Sequence, residues 1–316
     1  MRALWHYSHE ESRLLSSVSN ESGFDTVVRS LYSLISLGTE TLVAKGLVPE
    51  NLQQSMKVPY MEGRFSFPVK YGYSLVGTVV KSDSFQPGTV IHVMHPHQDR
   101  VEIEAKHAMV VPEQIPTKRA ILVANMETVV NAVWDADLQQ GQHVIIAGYG
   151  IIGSMLARIC SSKFGCRVSI LETDERKDEA IRQAGYQNAH SEKVTYDVAF
   201  NCSANELALQ FCIDHVGEEC AVIELSWYGI KAINIQLGGT FHSMRKKIIS
   251  SQVSQIPKRK RAEWNYDNRK HLAFDFLKDD FFDSLLDFEI PFEDSARFFN
   301  TIRTEQSKGI GHFIKY

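Results

Sequence analysis

Cysteine is missing from the first half of this 316-residue chain: the five present are Cys160, Cys166, Cys202, Cys212 and Cys220. They form no CxxC pair and their number is odd, so neither a disulfide framework nor a cysteine-clustered metal lobe is expected, and reduced thiols of a cytoplasmic protein are. Long apolar runs are missing too, which removes the membrane-spanning classes. Met1 to Trp5 lacks an apolar core with a cleavage site, so no secretory leader is read there. Charge of one sign is not in excess: 34 Lys+Arg stand against 38 Asp+Glu, a net −4, and no global field draws the chain to nucleic acid or acidic lipid. The one dense basic cluster, Lys258-Arg259-Lys260-Arg261, reads as a solvated loop or first helical turn, with an anion- or partner-binding patch as the alternative. What remains is an ordinary globular composition, 44% hydrophobic and 23% charged, at a length suited to two domains.

The first third carries short strand-like runs punctuated by glycine. Thr26 to Leu34, Tyr71 to Val80, Thr89 to Met94 and a pair within Val101 to Val111 read as strands, and Gln86-Pro87-Gly88 as a turn. This predicts a compact barrel-like module. The character changes after Pro116. Residues 118–136 have helical apolar spacing, and strands then alternate with helices. His143 to Ala147, Arg167 to Leu171, Asp197 to Asn201 and Cys220 to Leu225 are the strands. Ile152 to Phe164, Asp174 to Ala184 and Glu206 to His215 are the helices. Repeated βα units of this length predict a doubly wound parallel sheet covered on both faces. Strand character returns at Ile248 to Val253. Two helices (Trp264 to Leu277, Phe292 to Thr301) and a strand (His312 to Tyr316) close the chain.

The most specific motif is Gly148-Tyr149-Gly150-Ile151-Ile152-Gly153, placed between the apolar strand Val144-Ile145-Ile146-Ala147 and a predicted helix. Gly148 permits the tight turn, Gly150 lets backbone approach a pyrophosphate, and Gly153 lets helix and strand pack closely. Glu172, ending the next strand, has the spacing of a carboxylate that binds adenosine ribose hydroxyls. NAD(H) is therefore preferred, while Arg176 and Lys177 leave NADP(H) open. Asn201, Cys202 and Ser203, then Ser226, Trp227 and Tyr228, follow later strands, where loops line the cofactor crevice of such sheets.

Together with Ser36-Leu37-Gly38-Thr39-Glu40, Tyr71-Gly72-Tyr73-Ser74-Leu75-Val76-Gly77, Tyr196 to Cys202 and Phe292 to Phe299, these features resemble the medium-chain dehydrogenase/reductase superfamily over nearly the whole chain. The Gly38-Thr39-Glu40 and Tyr71-Gly72-Tyr73 segments resemble the branch of the bacteriochlorophyllide hydroxyethyl dehydrogenases and related proteins more than they resemble classical alcohol dehydrogenases. The resemblance implies an α/β fold with a GroES-like β-rich catalytic domain (1–117 with 262–316) and a Rossmann domain (118–261). It further implies an oxidoreductase with a small-molecule substrate, bulky or aromatic, and a homodimer. Where family members place zinc ligands, this chain has Leu37, Tyr73-Ser74 and about Val123, so zinc is not expected. His92, His95, His97 and Asp99 are dense enough to admit a metal elsewhere, but a site-lining role for His97 is the first expectation.

Without zinc a side chain must handle the proton. By motif position the candidates are Thr39, Tyr73, His97 and Glu127, the last in the helix that runs beneath the nicotinamide in the family. Each has a plainer reading: Thr39 as the cap of a helix beginning at Glu40, Tyr73 as core packing, Glu127 as a paired buried carboxylate, His97 as an exposed loop residue. His242 is a further acid without a partner in the sequence. Beside the alcohol/carbonyl reaction stand two alternatives, a quinone or enone reductase and a non-catalytic NAD(H)-binding redox sensor.

Overall fold

A computed structural model describes residues 1–16, 23–189 and 194–316. The chain divides into two compact units, Met1–Ala124 with Leu277–Tyr316, and Asn125–Phe276. Among the described residues no helix is long and apolar enough to cross a membrane.

The first unit is built on two sheets. Its smaller sheet joins β1 (Arg2–His6), β2 (Ser12–Ser16), β4 (Glu62–Gly63) and β5 (Val69–Lys70) in the order β2-β1-β5-β4. The larger sheet centres on β3 (Thr26–Ile35), which pairs antiparallel with β6 (Leu75–Ser82), β8 (Arg100–Ile103) and, near the chain end, β17 (His312–Lys315). Beyond these lie β7 (Val90–Val93) and β9 (Ala108–Val110) on one side and β16 (Phe288–Pro291) on the other. Val28, Leu75, Val79, Ile91, Val93, Val101 and Ile103 fill the interior of this module. A second cluster packs Leu4, Ile35 and Ile314 against Ala44 of α1 (Leu37–Ala44) and against Phe299 and Ile302 of α8 (Ser295–Ile302).

Several local expectations change here. Tyr71 to Ser74 is loop, with strand only from Leu75, because Gly72 adopts φ +134° and turns the chain, a conformation open to a residue without Cβ. The run Val101 to Val111 does hold two strands, but they pair with β3 and β7 instead of each other. The helix after Ser36 begins at Leu37, so Thr39 lies inside its first turn and does not cap it. The β1–β2 hairpin escapes a search for alternation because Ala3 and Leu4 are both buried and the next inward residue is His6.

The second unit follows the sequence more closely. Its strands are β10 (His143–Ala147), β11 (Arg167–Leu171), β12 (Gln187–Asn188), β13 (Tyr196–Asn201), β14 (Val216–Glu224) and β15 (Lys247–Ser250). They form one six-stranded parallel sheet in the order β12-β11-β10-β13-β14-β15. Counted from β10 this is the 3-2-1-4-5-6 order of a dinucleotide-binding sheet, whose order reverses between β10 and β13. The helices are α2 (Val123–Ala136, all but its first two residues in this unit), α3 (Ile151–Phe164), α4 (Asp178–Gln183), α5 (Glu206–His215), the short α6 (Thr240–Ser243) and α7 (Tyr266–Phe276). Helix α3 stops where Gly165 enters the left-handed region (φ 58°) and its amide closes on Ser161 O at 3.1 Å. Asn205 caps α5 by accepting from Leu207 N and Ala208 N. The stretch Asp174 to Ala184, expected as one helix, is a 3-10 turn over Glu175–Lys177 followed by α4. The basic cluster forms a 3-10 turn, Lys258–Lys260, with Arg259 paired to Asp137 at 2.9 Å.

Candidate functional site

In the second unit the reversal point of the sheet carries the glycine turn. Gly148 has φ +94°, and a Cβ there would sit 3.2 Å from Ser203 Cα on the neighbouring β13 loop. A Cβ on Gly153 would lie 1.9 Å from Gly148 O, so the first turn of α3 rests directly on the strand end. Gly150 has nothing within 4 Å of the same position. It serves as N-cap of α3 without a side-chain cap, leaving the amides of Ile151, Ile152 and Gly153 to an incoming acceptor. This cradle fits a dinucleotide pyrophosphate: backbone closes tightly at Gly148 and Gly153 and stays open at Gly150. Tyr149 turns into the core with its ring buried.

Glu172 directly follows β11, with its carboxylate turned toward this cradle. It accepts from Tyr149 N at 2.8 Å, Thr173 N at 2.8 Å, Asp174 N at 2.9 Å and Lys177 Nζ at 2.9 Å. Burial acts to raise its pKa, but the amides of Asp174 and Tyr149 and the Lys177 charge outweigh burial and hold it below the ordinary glutamate value.

At the ends of β13 and β14 a polar network joins four expected residues, Asn201, Ser203, Ser226 and Tyr228, and adds one that was missed. Asn201 Oδ1 accepts from Ser203 Oγ at 2.7 Å, and Ser226 Oγ accepts from Ala204 N at 2.9 Å. The addition is Glu224. Asn201 Nδ2 donates to it at 2.7 Å, Ser226 N at 2.7 Å and Tyr228 Oη at 3.2 Å. Burial raises the Glu224 pKa despite these donors. The strand-end rule that selected Asn201 also selects Glu224, the last residue of β14.

Glu127 belongs to the same unit. It is buried against Arg269 of α7, with Nε 3.2 Å from Oε1, and Arg269 also donates to Asn131 Oδ1 at 3.1 Å and Val253 O at 2.8 Å. Burial raises the Glu127 pKa, opposed by Lys270 and Arg269. Arg269→Met should therefore strand a buried carboxylate and cost about 3–5 kcal/mol, whereas Arg269→Met with Glu127→Met should recover much of the loss. Denaturant unfolding of the three proteins checks this; a single variant as stable as the parent would remove the ion pair from the account.

The first unit gathers Thr39, Tyr73 and His97 around α1. His97 is fully buried, not the exposed loop residue of the plainer reading. Its Nε2 lies 2.8 Å from Glu40 Oε2 and its Nδ1 lies 2.7 Å from Ser33 Oγ, which in turn lies 2.9 Å from Tyr316 Oη. The two ring nitrogens of His97 thus bridge the Glu40 carboxylate and the Ser33 hydroxyl. The other oxygen of Glu40 accepts from Ser36 N at 2.7 Å, tying the buried pair to the start of α1. Tyr73, partly exposed, stands over that helix start, and the side chains of Ser36 and Thr39 hydrogen-bond its hydroxyl. Burial and the nearby Glu40 charge push its pKa up to about 12, so the phenol is neutral. Ser33, Glu40 and Tyr316 were not foreseen as site residues, for Glu40 meets His97 only across 57 positions of chain and Ser33 meets Tyr316 only across 283.

Zinc does not fit the residues at the positions that would hold it. Leu37 and Val123 offer no donor, Ser74 Oγ is spent on Ile121 O and His92, and Tyr73 is a neutral phenol. The dense histidines diverge: His92 meets Ser74, His95 meets Pro96 O at 2.8 Å, and His97 meets Glu40 and Ser33. Among the described residues no three His, Cys, Asp or Glu side chains converge on a point.

No protein-family model and no curated protein matches the sequence. Solved structures do match, over 100% of this chain. A 2R,3R-butanediol dehydrogenase from Bacillus subtilis superposes with a TM-score of 0.77 at 13% identity over 99% of its own length. A short chain alcohol dehydrogenase from E. coli, complexed with NADH, gives 0.76 at 11% identity over 99%. The yhdH oxidoreductase from Salmonella enterica, in complex with NADP, gives 0.69 at 16% identity over 100%. At such identities the likeness establishes the fold: this chain has the two-unit architecture of these oxidoreductases, a β-rich unit with a parallel-sheet dinucleotide-type unit.

Proposed function

We propose that the chain is a zinc-independent, nicotinamide-dependent oxidoreductase that moves a hydride between the dinucleotide and a carbonyl or carbinol carbon. The observation that carries this reading is the glycine turn, tight at Gly148 and Gly153 and open at Gly150, at the reversal point of a 3-2-1-4-5-6 sheet. The amides of α3 hold the pyrophosphate, Glu172 faces the adenosine ribose, and Asn201, Ser203 and Ser226 line the strand ends. The bound nicotinamide supplies or accepts the hydride.

Tyr73 handles the proton. In reduction its phenol donates to the substrate oxygen as the carbon takes the hydride, and the Ser36 and Thr39 hydroxyls hydrogen-bond the phenolate left behind. The Glu40–His97–Ser33–Tyr316 chain fixes the helix start from which Ser36 and Thr39 reach Tyr73; His97 is a positioning residue in this scheme. A bulky or aromatic substrate of the hydroxyethyl type and a homodimer are parts of the reading carried by the resemblance alone.

The test is a panel of alcohols, ketones and enones followed by NADH absorbance, run on protein assayed for metal. Turnover of alcohols or ketones without bound zinc is the expected result. Turnover confined to enones would move the protein to the carbon–carbon reductases, which the replaced zinc positions also suit. NADH binding without any turnover would make it a sensor, and stoichiometric zinc that survives dialysis would defeat the mechanism.

A further inference from the structure

The sequence-based preference for NAD(H) assumes a carboxylate at position 172 that is free to meet the ribose and to repel a 2′-phosphate. Glu172 is not free. A carboxylate offers about four acceptor positions. Here Tyr149 N and Lys177 Nζ take those on Oε2, and Thr173 N and Asp174 N take those on Oε1. Three of these donors are backbone amides fixed by the path of the glycine turn and of the turn after β11. The residue itself is clamped as well: Asn188 of β12 accepts from Glu172 N at 3.1 Å and donates to Glu172 O at 2.9 Å. Only Lys177, on the 3-10 turn, can leave. The neighbouring cation, Arg176, is paired instead with Asp174, through two contacts of 2.7 Å.

We propose that Lys177 decides between NADH and NADPH, and that the chain accepts both. This rests on the dinucleotide reading given above. For a ribose carrying two hydroxyls, Lys177 yields its place on Oε2 and the 2′-hydroxyl donates there instead. For a 2′-phosphate, the ammonium turns from Glu172 to the phosphate and offsets the carboxylate beside it, a charge-assisted contact stronger than a neutral one. An unpaired carboxylate at this position would have no such second state.

Fluorescence titration of the full chain with NADH and with NADPH tests this in the parent, Lys177→Met and Lys177→Arg proteins. The parent should bind the two nucleotides within about tenfold of each other. Lys177→Met should weaken NADPH relative to NADH by about tenfold or more, and Lys177→Arg should restore the parental ratio. Lys177 is partly exposed and its side chain caps no helix, and an unchanged melting temperature certifies the fold of each variant. An unchanged ratio in Lys177→Met overturns the proposal, as does a parent that rejects NADPH by more than about a hundredfold. Failure of the parent to bind either nucleotide defeats the dinucleotide reading itself, an outcome distinct from both.

Discussion

Gly153→Ala should abolish dinucleotide binding and destabilise the second unit, while Gly150→Ala should leave the unit folded and lose only affinity. The two glycines sit three residues apart in one motif, yet their surroundings differ in kind. An alanine Cβ at 153 would lie 1.9 Å from Gly148 O, and the obstacle is backbone that closes the β10–α3 turn. No rotamer relieves it. The first turn of α3 must lift off the strand, and with it the buried contacts of Met155, Leu156 and Ile159. Overpacking of a well-filled interior costs about 1–3 kcal/mol, and a contact against fixed backbone belongs at or above the top of that range. At 150 a Cβ meets nothing within 4 Å. The backbone there (φ −85°, ψ −170°) is extended, which suits alanine. The methyl would instead occupy the space over the uncapped amides of α3, where the pyrophosphate is proposed to rest. Melting temperature and NADH titration, measured together, separate the two effects. If Gly150→Ala bound NADH as the parent does, the open face at that glycine would have no role in phosphate binding. If Gly153→Ala kept the parental melting temperature, the close packing of α3 on Gly148 would be wrong.

The parts legible in the sequence share one physical property: their signals are local. β10, β11 and α5 have the bounds expected because a continuous apolar run and a helical period are each contained within a dozen residues. The glycine turn was legible for the same reason. The first unit was harder. β8 and β9 are neighbours in sequence but pair with β3 and β7, a choice made by registers that no turn signal encodes. The His97–Glu40 pair spans 57 positions, and Ser33–Tyr316 spans 283. Each of these residues taken singly is an ordinary polar side chain in an apolar neighbourhood; only the fold makes them a chain of hydrogen bonds. Glu224 is the intermediate case, reachable from the strand-end rule once β14 is seen to end there and not at Leu225. Glu172 shows the converse, a motif residue whose place was legible while its saturation by four donors was not. Spacing reports where a carboxylate stands; it does not report what already occupies its lone pairs.

Tyr73→Phe should lower kcat for carbonyl reduction by about a hundredfold to ten-thousandfold, the span typical of a lost general acid, with KM and melting temperature little changed. The ring stays, so its edge contact with Tyr71 at 6.0 Å between centroids stays too, and only the hydroxyl shared with Ser36 and Thr39 is removed. The pH profile distinguishes a proton donor from a merely structural hydroxyl. With the phenol pKa near 12, reduction by the parent should be insensitive to Tyr73 ionisation throughout the neutral range, since the required acid form is always present. In the proposed scheme oxidation uses the Tyr73 phenolate, a minor species that grows as pH rises, so kcat for oxidation should climb with pH toward about 12 and level there. In Tyr73→Phe that climb should vanish along with most of the rate. Thr39→Ala should act in the same direction but less severely: losing one hydrogen bond to the phenolate raises the Tyr73 pKa further and shifts the oxidation profile to higher pH. A Tyr73→Phe protein that kept both the parental rate and the parental slope would transfer the proton-handling role away from Tyr73. The Glu40–His97 pair could not inherit it directly, since both side chains are fully buried.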